Sequence, residues 1–150
     1  MSSGAEFDRF VAEVENSLRM VNIIVRKRGR QILADFEVTP PQLDALNFLN
    51  RQSLTMGELG QKMHLACSTA TDLIDRMERN GLIVRERDTQ DRRVIRLYIT
   101  DRGREIISQV VEARKRYLAE VLANVPPEQR QALKHSLSIL YDLMKGQEVR

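Results

Sequence analysis

One cysteine, two histidines and no tryptophan in 150 residues remove several classes of function at the outset. Cys67 alone cannot close an internal disulfide, and it leaves a cysteine-based zinc or iron–sulfur site without ligands. His64 and His135 are too few to replace them and are expected at the surface or at helix ends, so no metal or cofactor is expected. Aromatic residues at 5% supply no row of stacking platforms of the kind single-stranded RNA binders use. No apolar run approaches the roughly 18 residues that span a bilayer. The opening residues, Met1-Ser2-Ser3-Gly4-Ala5-Glu6, lack a basic segment followed by an apolar one. The expected location is therefore the cytoplasm, without a membrane partner. Seven glycines spread singly form no phosphate-cradling loop, and no nucleophile is clustered with a base. An enzyme is not expected.

What is present is ordinary in amount and uneven in placement. Hydrophobic residues at 42% suffice for a packed core, and charged residues at 30% suit a soluble globular chain. The net charge is only +3, but residues 79–104 carry eight arginines (79, 85, 87, 92, 93, 96, 102 and 104) against four acids, Glu86, Asp88, Asp91 and Asp101. Such a basic stretch in a near-neutral chain is either a solvated face or the footprint of a polyanion.

Apolar residues at 7, 10, 11, 14, 18, 21, 24, 25, 32 and 33 recur at spacings of three and four, which predicts a long amphipathic helix over 6–34, interrupted on paper only by Gly29. At 1.5 Å per residue it is about 40 Å long and overhangs a small domain. Thr39-Pro40-Pro41-Gln42 has a Thr cap, proline in the first turn and Gln three residues after the cap, so a second helix is expected from there to about Asn50. Thr55-Met56-Gly57-Glu58 repeats the cap for a short third helix over 56–63, with Leu54 as a short edge strand before it. In 65–81, Ala70, Leu73, Ile74 and Met77 share one helical face. Ser68, Thr71, Asp72, Asp75, Arg76 and Arg79 take the other, and Asn80-Gly81 supplies the stop.

The periodicity then changes to two. Residues 83–87 and 94–99 read as strands around the polar tip Asp88-Thr89-Gln90-Asp91-Arg92-Arg93. A further helix opens at Thr100, is broken by Val125-Pro126-Pro127-Glu128, and is followed by a last helix through Leu133, Leu137, Leu140, Tyr141 and Met144; residues 146–150 are expected to fray. The fold class is thus mainly α with a small antiparallel hairpin. A helix, a turn, a polar-faced helix and a basic hairpin make a winged helix-turn-helix over 37–100, and the flanking segments 1–36 and 101–150 are expected to be dimerisation helices. In such a fold the polar helix enters the major groove, while hairpin arginines reach phosphates or the minor groove.

Along essentially its whole length the chain resembles the MarR family of transcriptional regulators. The residues that carry the resemblance are Val38-Thr39-Pro40-Pro41-Gln42, Glu58-Leu59, Ser68-Thr69-Ala70-Thr71 with Leu73-Ile74-Asp75-Arg76-Met77-Glu78 and Gly81-Leu82, and the wing signature Asp88-x-x-Asp91-Arg92-Arg93 followed by Leu97, Thr100 and Gly103. The resemblance implies a homodimer whose first and last two helices interleave, and a repressor of a palindromic operator on double-stranded DNA. It also implies release by a small aromatic or phenolic ligand bound between the dimer helices and the DNA lobe. The competing function is a winged-helix protein for general DNA compaction or protein interaction, without small-molecule sensing.

The DNA-binding residues expected on this basis are Ser68, Thr69, Thr71, Asp72, Arg76, Gln90, Arg92 and Arg93. Four positions depart from the family pattern. Ala66 and Cys67 stand where members often have a Ser cap and a basic residue, Asp72 lies near a frequent Arg or Lys, and Gln90 replaces a frequent Arg. Asp72 either accepts from a cytosine amino group or pairs with Arg76, and the pair is the favoured reading. Of Arg92 and Arg93, at least one is expected in a narrow minor groove and one tied to an acid. Cys67 invites a redox reading, but redox-sensing members place the reactive cysteine in the first helix, so an incidental thiol is expected.

Overall fold

The computed structural model describes residues 2–148. Six helices and three strands follow in the order α1 (Ser2–Asp35), α2 (Pro40–Arg51), β1 (Leu54–Thr55), α3 (Met56–Lys62), α4 (Cys67–Arg79), β2 (Ile83–Arg87), β3 (Ile95–Ile99), α5 (Asp101–Leu122) and α6 (Pro127–Glu148). Gly29 does not interrupt α1, which begins four residues earlier than expected. The last helix also runs past Gly146 to Glu148; Val149 and Arg150, the end of the segment expected to fray, lie outside the described residues.

The expected caps form. Thr39 Oγ1 accepts from the Gln42 N–H at 3.3 Å, and Gln42 Oε1 accepts from the Thr39 N–H at 3.1 Å, closing a reciprocal capping box at the start of α2. At α3 only half of the box is present, with Thr55 Oγ1 accepting from the Glu58 N–H at 3.1 Å. Thr55 belongs to β1, which pairs antiparallel with β3 at Leu54↔Leu97 and Thr55↔Arg96, so the expected hairpin is a three-stranded sheet in the order β1-β3-β2.

Three helices end in the same device. After α1, α3 and α4 the chain turns through a left-handed residue, Glu37 (φ 57°), His64 (φ 54°) and Gly81 (φ 73°). In each case the following N–H reaches five residues back: Val38 to Leu33, Leu65 to Gly60 and Leu82 to Met77. His64 therefore makes the turn between α3 and α4 in a conformation that costs a side-chain-bearing residue about 1 kcal/mol. His64→Gly is expected to raise stability by about 0.5–1 kcal/mol, read as a higher urea midpoint; a lower midpoint would show that the imidazole contributes more than the strain costs.

The chain divides into two compact units, one up to Ala113 and one from Arg114 onward. The core of the first unit is a single apolar cluster that includes Leu33, Leu46, Leu54, Leu59, Ile74, Met77, Ile83, Leu97 and Val110. It draws on α1, α2, all three strands, α3, α4 and the start of α5. In the second unit Arg130 spans the α5–α6 turn, its Nε donating to Val125 O at 2.6 Å and its other nitrogen to Ala123 O at 3.3 Å. No helix among the described residues is long and apolar enough to cross a membrane.

Candidate nucleic-acid interface

Helix α4 has one buried edge and one open face. Ala70, Ile74 and Met77 are buried, while Ser68, Thr69, Thr71, Asp72, Arg76 and Arg79 are exposed. All five helix residues predicted for the site thus lie on the open side. The N-terminus of α4 is open as well: Ala66 occupies the cap position and supplies no side-chain hydrogen bond. The first amides of a helix have no acceptor within it, and uncapped they face outward with the positive end of the helix dipole, an arrangement suited to a phosphate. The side chains of Ser68 and Thr69 have no hydrogen-bond partner among the described residues. Thr71 differs, because its hydroxyl donates to Cys67 O at 2.8 Å. Its oxygen can still accept and its methyl can still touch a base, but its proton is committed within the helix.

The expected Asp72–Arg76 pair is not formed. Both side chains are exposed and neither has an ion-pair partner among the described residues. The acids of α4 that do pair are Glu78, 4.0 Å from Arg85 Nε, and Asp75, which the sequence pattern puts with the outward polar set. Asp75 is only half-exposed and forms an ion pair with Arg85 of β2. The signal for this contact was weak in the sequence, because an acid on α4 and an arginine ten residues later meet only once the helix has turned back into a strand.

At the wing tip the two acids of the Asp88-x-x-Asp91-Arg92-Arg93 signature shape the backbone. Asp88 Oδ1 accepts from the Gln90 N–H at 3.3 Å and Asp91 Oδ1 from the Arg93 N–H at 3.0 Å, two side-chain-closed turns in succession. The Asp88 N–H donates to Val94 O at 2.9 Å and the Val94 N–H to Asp91 O at 3.0 Å, closing the loop between β2 and β3. Asp88 also lies 4.0 Å from Arg96, which donates to Ser53 O and Oγ at 3.4 Å, tying the base of the wing to the link between α2 and β1.

The arginines then divide. Arg93 Nε sits 3.4 Å from Asp91 Oδ1, although the side chain remains 92% exposed. Arg92 is exposed and has no partner among the described residues, as is Gln90 apart from its backbone contact. The expected tie of one arginine to an acid is formed, by Arg93 with Asp91, and Arg92 is left free. Of the eight arginines in 79–104, Arg85, Arg93, Arg96 and Arg104 are paired with carboxylates. The basic surplus is therefore carried by Arg79, Arg87, Arg92 and Arg102, to which α4 adds Arg76; all five are exposed. Cys67 is an exposed free thiol, and no group of three or more potential metal ligands occurs among the described residues.

Comparison with known proteins agrees with this architecture. The family model described as "MarR family" matches residues 38–95, the segment from the α2 cap to the start of β3. The chain is 42% identical over 136 residues to the HTH-type transcriptional regulator YsmB of Bacillus subtilis, covering 90% of this chain and 93% of that protein. It is 30% identical over 129 residues to the HTH-type transcriptional repressor MdtR of the same organism, covering 85% and 83%. Among solved structures, a MarR family protein from Bacillus stearothermophilus superposes with a TM-score of 0.79 at 45% identity, covering 92% of this chain and 97% of that one.

Proposed function

This chain belongs to the MarR family of helix-turn-helix transcriptional regulators, which bind DNA, and on that premise we propose that it is a homodimeric repressor that reads a palindromic operator with α4 and the wing. The observation that carries the reading is the coincidence on one stretch of chain of an open polar helix face, an uncapped helix N-terminus and an unpaired arginine at a hairpin tip. Each alone suits a solvated surface. Together they supply the parts that duplex recognition needs: amides and hydroxyls for phosphate, side chains long enough for base edges, and a cation projecting where a minor groove is narrow.

Within this reading Ser68 and Thr69 hold phosphate with the first α4 amides. Thr71 offers its methyl or its oxygen to a base, and Arg76 reaches the major groove. Asp72, free of Arg76, accepts from a cytosine amino group. Gln90, Arg92 and Arg93 form the wing contact, with Arg92 inserted. Arg92→Ala is expected to weaken operator binding by about 1.5 kcal/mol, roughly tenfold, and Arg93→Ala by less, because Arg93 divides its charge with Asp91. Fluorescence anisotropy on an operator duplex separates the two. An unchanged affinity in both variants would remove the wing from the mechanism.

The flanking segments, 1–36 and 101–150, are the dimerisation elements. In the single chain α6 buries none of its residues, and α1 leaves Phe7, Phe10, Val11, Leu18, Val21 and Val25 exposed. Apolar surface on that scale suits a second copy, and a twofold dimer would place its half-sites about 10 bp apart. The repressor sign follows the relative named a repressor. A small aromatic or phenolic effector completes the reading: bound, it holds the two DNA-binding lobes of the dimer at another spacing and lowers operator affinity. A phenol that raises the melting temperature and weakens operator binding is its check. The protein works where the chromosome is, in the cytoplasm.

A further inference from the structure

We propose that Arg85 is a positioning residue for DNA recognition: from the outer edge of β2 it holds α4 through Asp75 and Glu78, and so fixes the attitude of the α4 face relative to the wing. The inference rests on the reading above that both elements engage one duplex.

β2 is an edge of the three-stranded sheet, because β3 lies between it and β1. An edge strand presents alternate N–H groups away from the sheet, without ladder partners. At Arg85 that group is used, donating to Glu78 Oε2 of α4 at 3.3 Å. The side chain of the same residue forms the ion pair with Asp75, and its Nε lies 4.0 Å from Glu78 Oε2. That Nε is buried, and the side chain is only 25% exposed, against 92% for Arg93 at the wing tip. Arg85 thus turns its charge inward, and two carboxylates one helical turn apart are tied by one residue to the strand that leads into the wing.

Charge on this face gives the inference a test of sign. Asp75 and Glu78 lie on the helix proposed to enter the groove, where an acid repels phosphate. If Arg85 served as a phosphate contact, or if only the local charge mattered, removing the Asp75 charge would release a cation and tighten binding. If Arg85 sets the attitude of α4, the same change loosens the helix and binding to the specific site falls.

The experiment measures dissociation constants of the full chain for an operator selected from random duplexes and for a random duplex, together with melting temperatures. Wild type, Asp75→Asn, Glu78→Gln, Arg85→Gln and the Asp75→Asn/Arg85→Gln double variant are compared. Asp75→Asn is expected to lose about tenfold on the operator while its affinity for random duplex does not fall, and the double variant is expected to bind no more weakly than Arg85→Gln alone. Tighter operator binding by Asp75→Asn would overturn the proposal. An equal fall on both duplexes, or a lower melting temperature with an unchanged operator-to-random ratio, would also overturn it by reducing the contact to a scaffold. Should Arg85→Gln fail to fold, Asp75→Asn and Glu78→Gln decide between these outcomes. A wild-type protein that prefers no duplex contradicts the regulator reading itself, and the wild-type arm shows that separately.

Discussion

Leu137→Glu is expected to yield a folded monomer that binds the operator about 10²–10⁴-fold more weakly than the parent protein. Leu137 lies on a stripe of α6 with Leu133, Tyr141 and Met144, all exposed in the single chain, and is itself 56% exposed. With no buried residue anywhere in α6, a substitution there removes little from the packing of one chain. In a dimer the stripe would be covered, and a carboxylate placed in an apolar interface without a partner disfavours the association strongly. Two lobes held on one frame bind two half-sites as a single event; separated, each lobe keeps only its own contacts, and the loss is that of bivalency. Circular dichroism should show the helices intact while sedimentation shows the mass halved. A dimer that survives Leu137→Glu with operator affinity unchanged would tell against α6 as the interface.

Gly103→Ala is expected to cost about 3 kcal/mol, the upper part of the range for overpacking a filled core, which lowers the melting temperature by roughly 6–12 °C in a chain of this size. The added Cβ would stand 2.5 Å from Leu82 O, 2.7 Å from Ile99 Cγ1 and 3.1 Å from Leu46 Cδ2. The nearest of these is backbone and is not free to move. Leu82 O accepts from the Thr100 N–H at 3.1 Å, and Thr100 in turn donates its hydroxyl to Gly81 O at 2.7 Å and accepts from the Gly103 N–H at 3.1 Å. The first turn of α5 is thereby pinned against the end of α4, and any retreat breaks that set of hydrogen bonds. A melting temperature within a degree of wild type would mean that α5 can slide where the packing says it cannot.

Much of this arrangement was legible because it is written in local chemistry. The Thr-Pro-Pro-Gln start of α2, the change of period after Gly81 and the Asp-rich hairpin tip each specify a backbone conformation within a few residues. Their consequences appear at Thr39, at β2 and β3, and at Asp88 and Asp91. Gly81 could be identified as a helix stop since glycine favours its left-handed φ. Glu37 and His64 make the same turn with residues that carry no such signal, each followed by a backbone hydrogen bond that reaches five residues back. The site divides in the same way. Exposure of Ser68, Thr71, Asp72 and Arg76 follows from helical period alone, and that of Arg92 and Arg93 from their place at a tip. The Asp75–Arg85 ion pair depends on where β2 lies against α4, and it was hidden while both residues appeared simply as charges on polar faces. The failure of Asp72 to meet Arg76 shows the converse, since residues four apart on a helix are neighbours without being obliged to bond.

Selection of binding sites from a random duplex library by the protein tests the central claim most directly. The account predicts enrichment of a palindrome with half-sites about 10 bp apart, bound roughly 10³-fold or more tightly than random duplex at the same salt concentration. Binding with a steep salt dependence but no enriched sequence is the behaviour of a compaction protein, and it would contradict sequence-specific recognition by α4 and the wing.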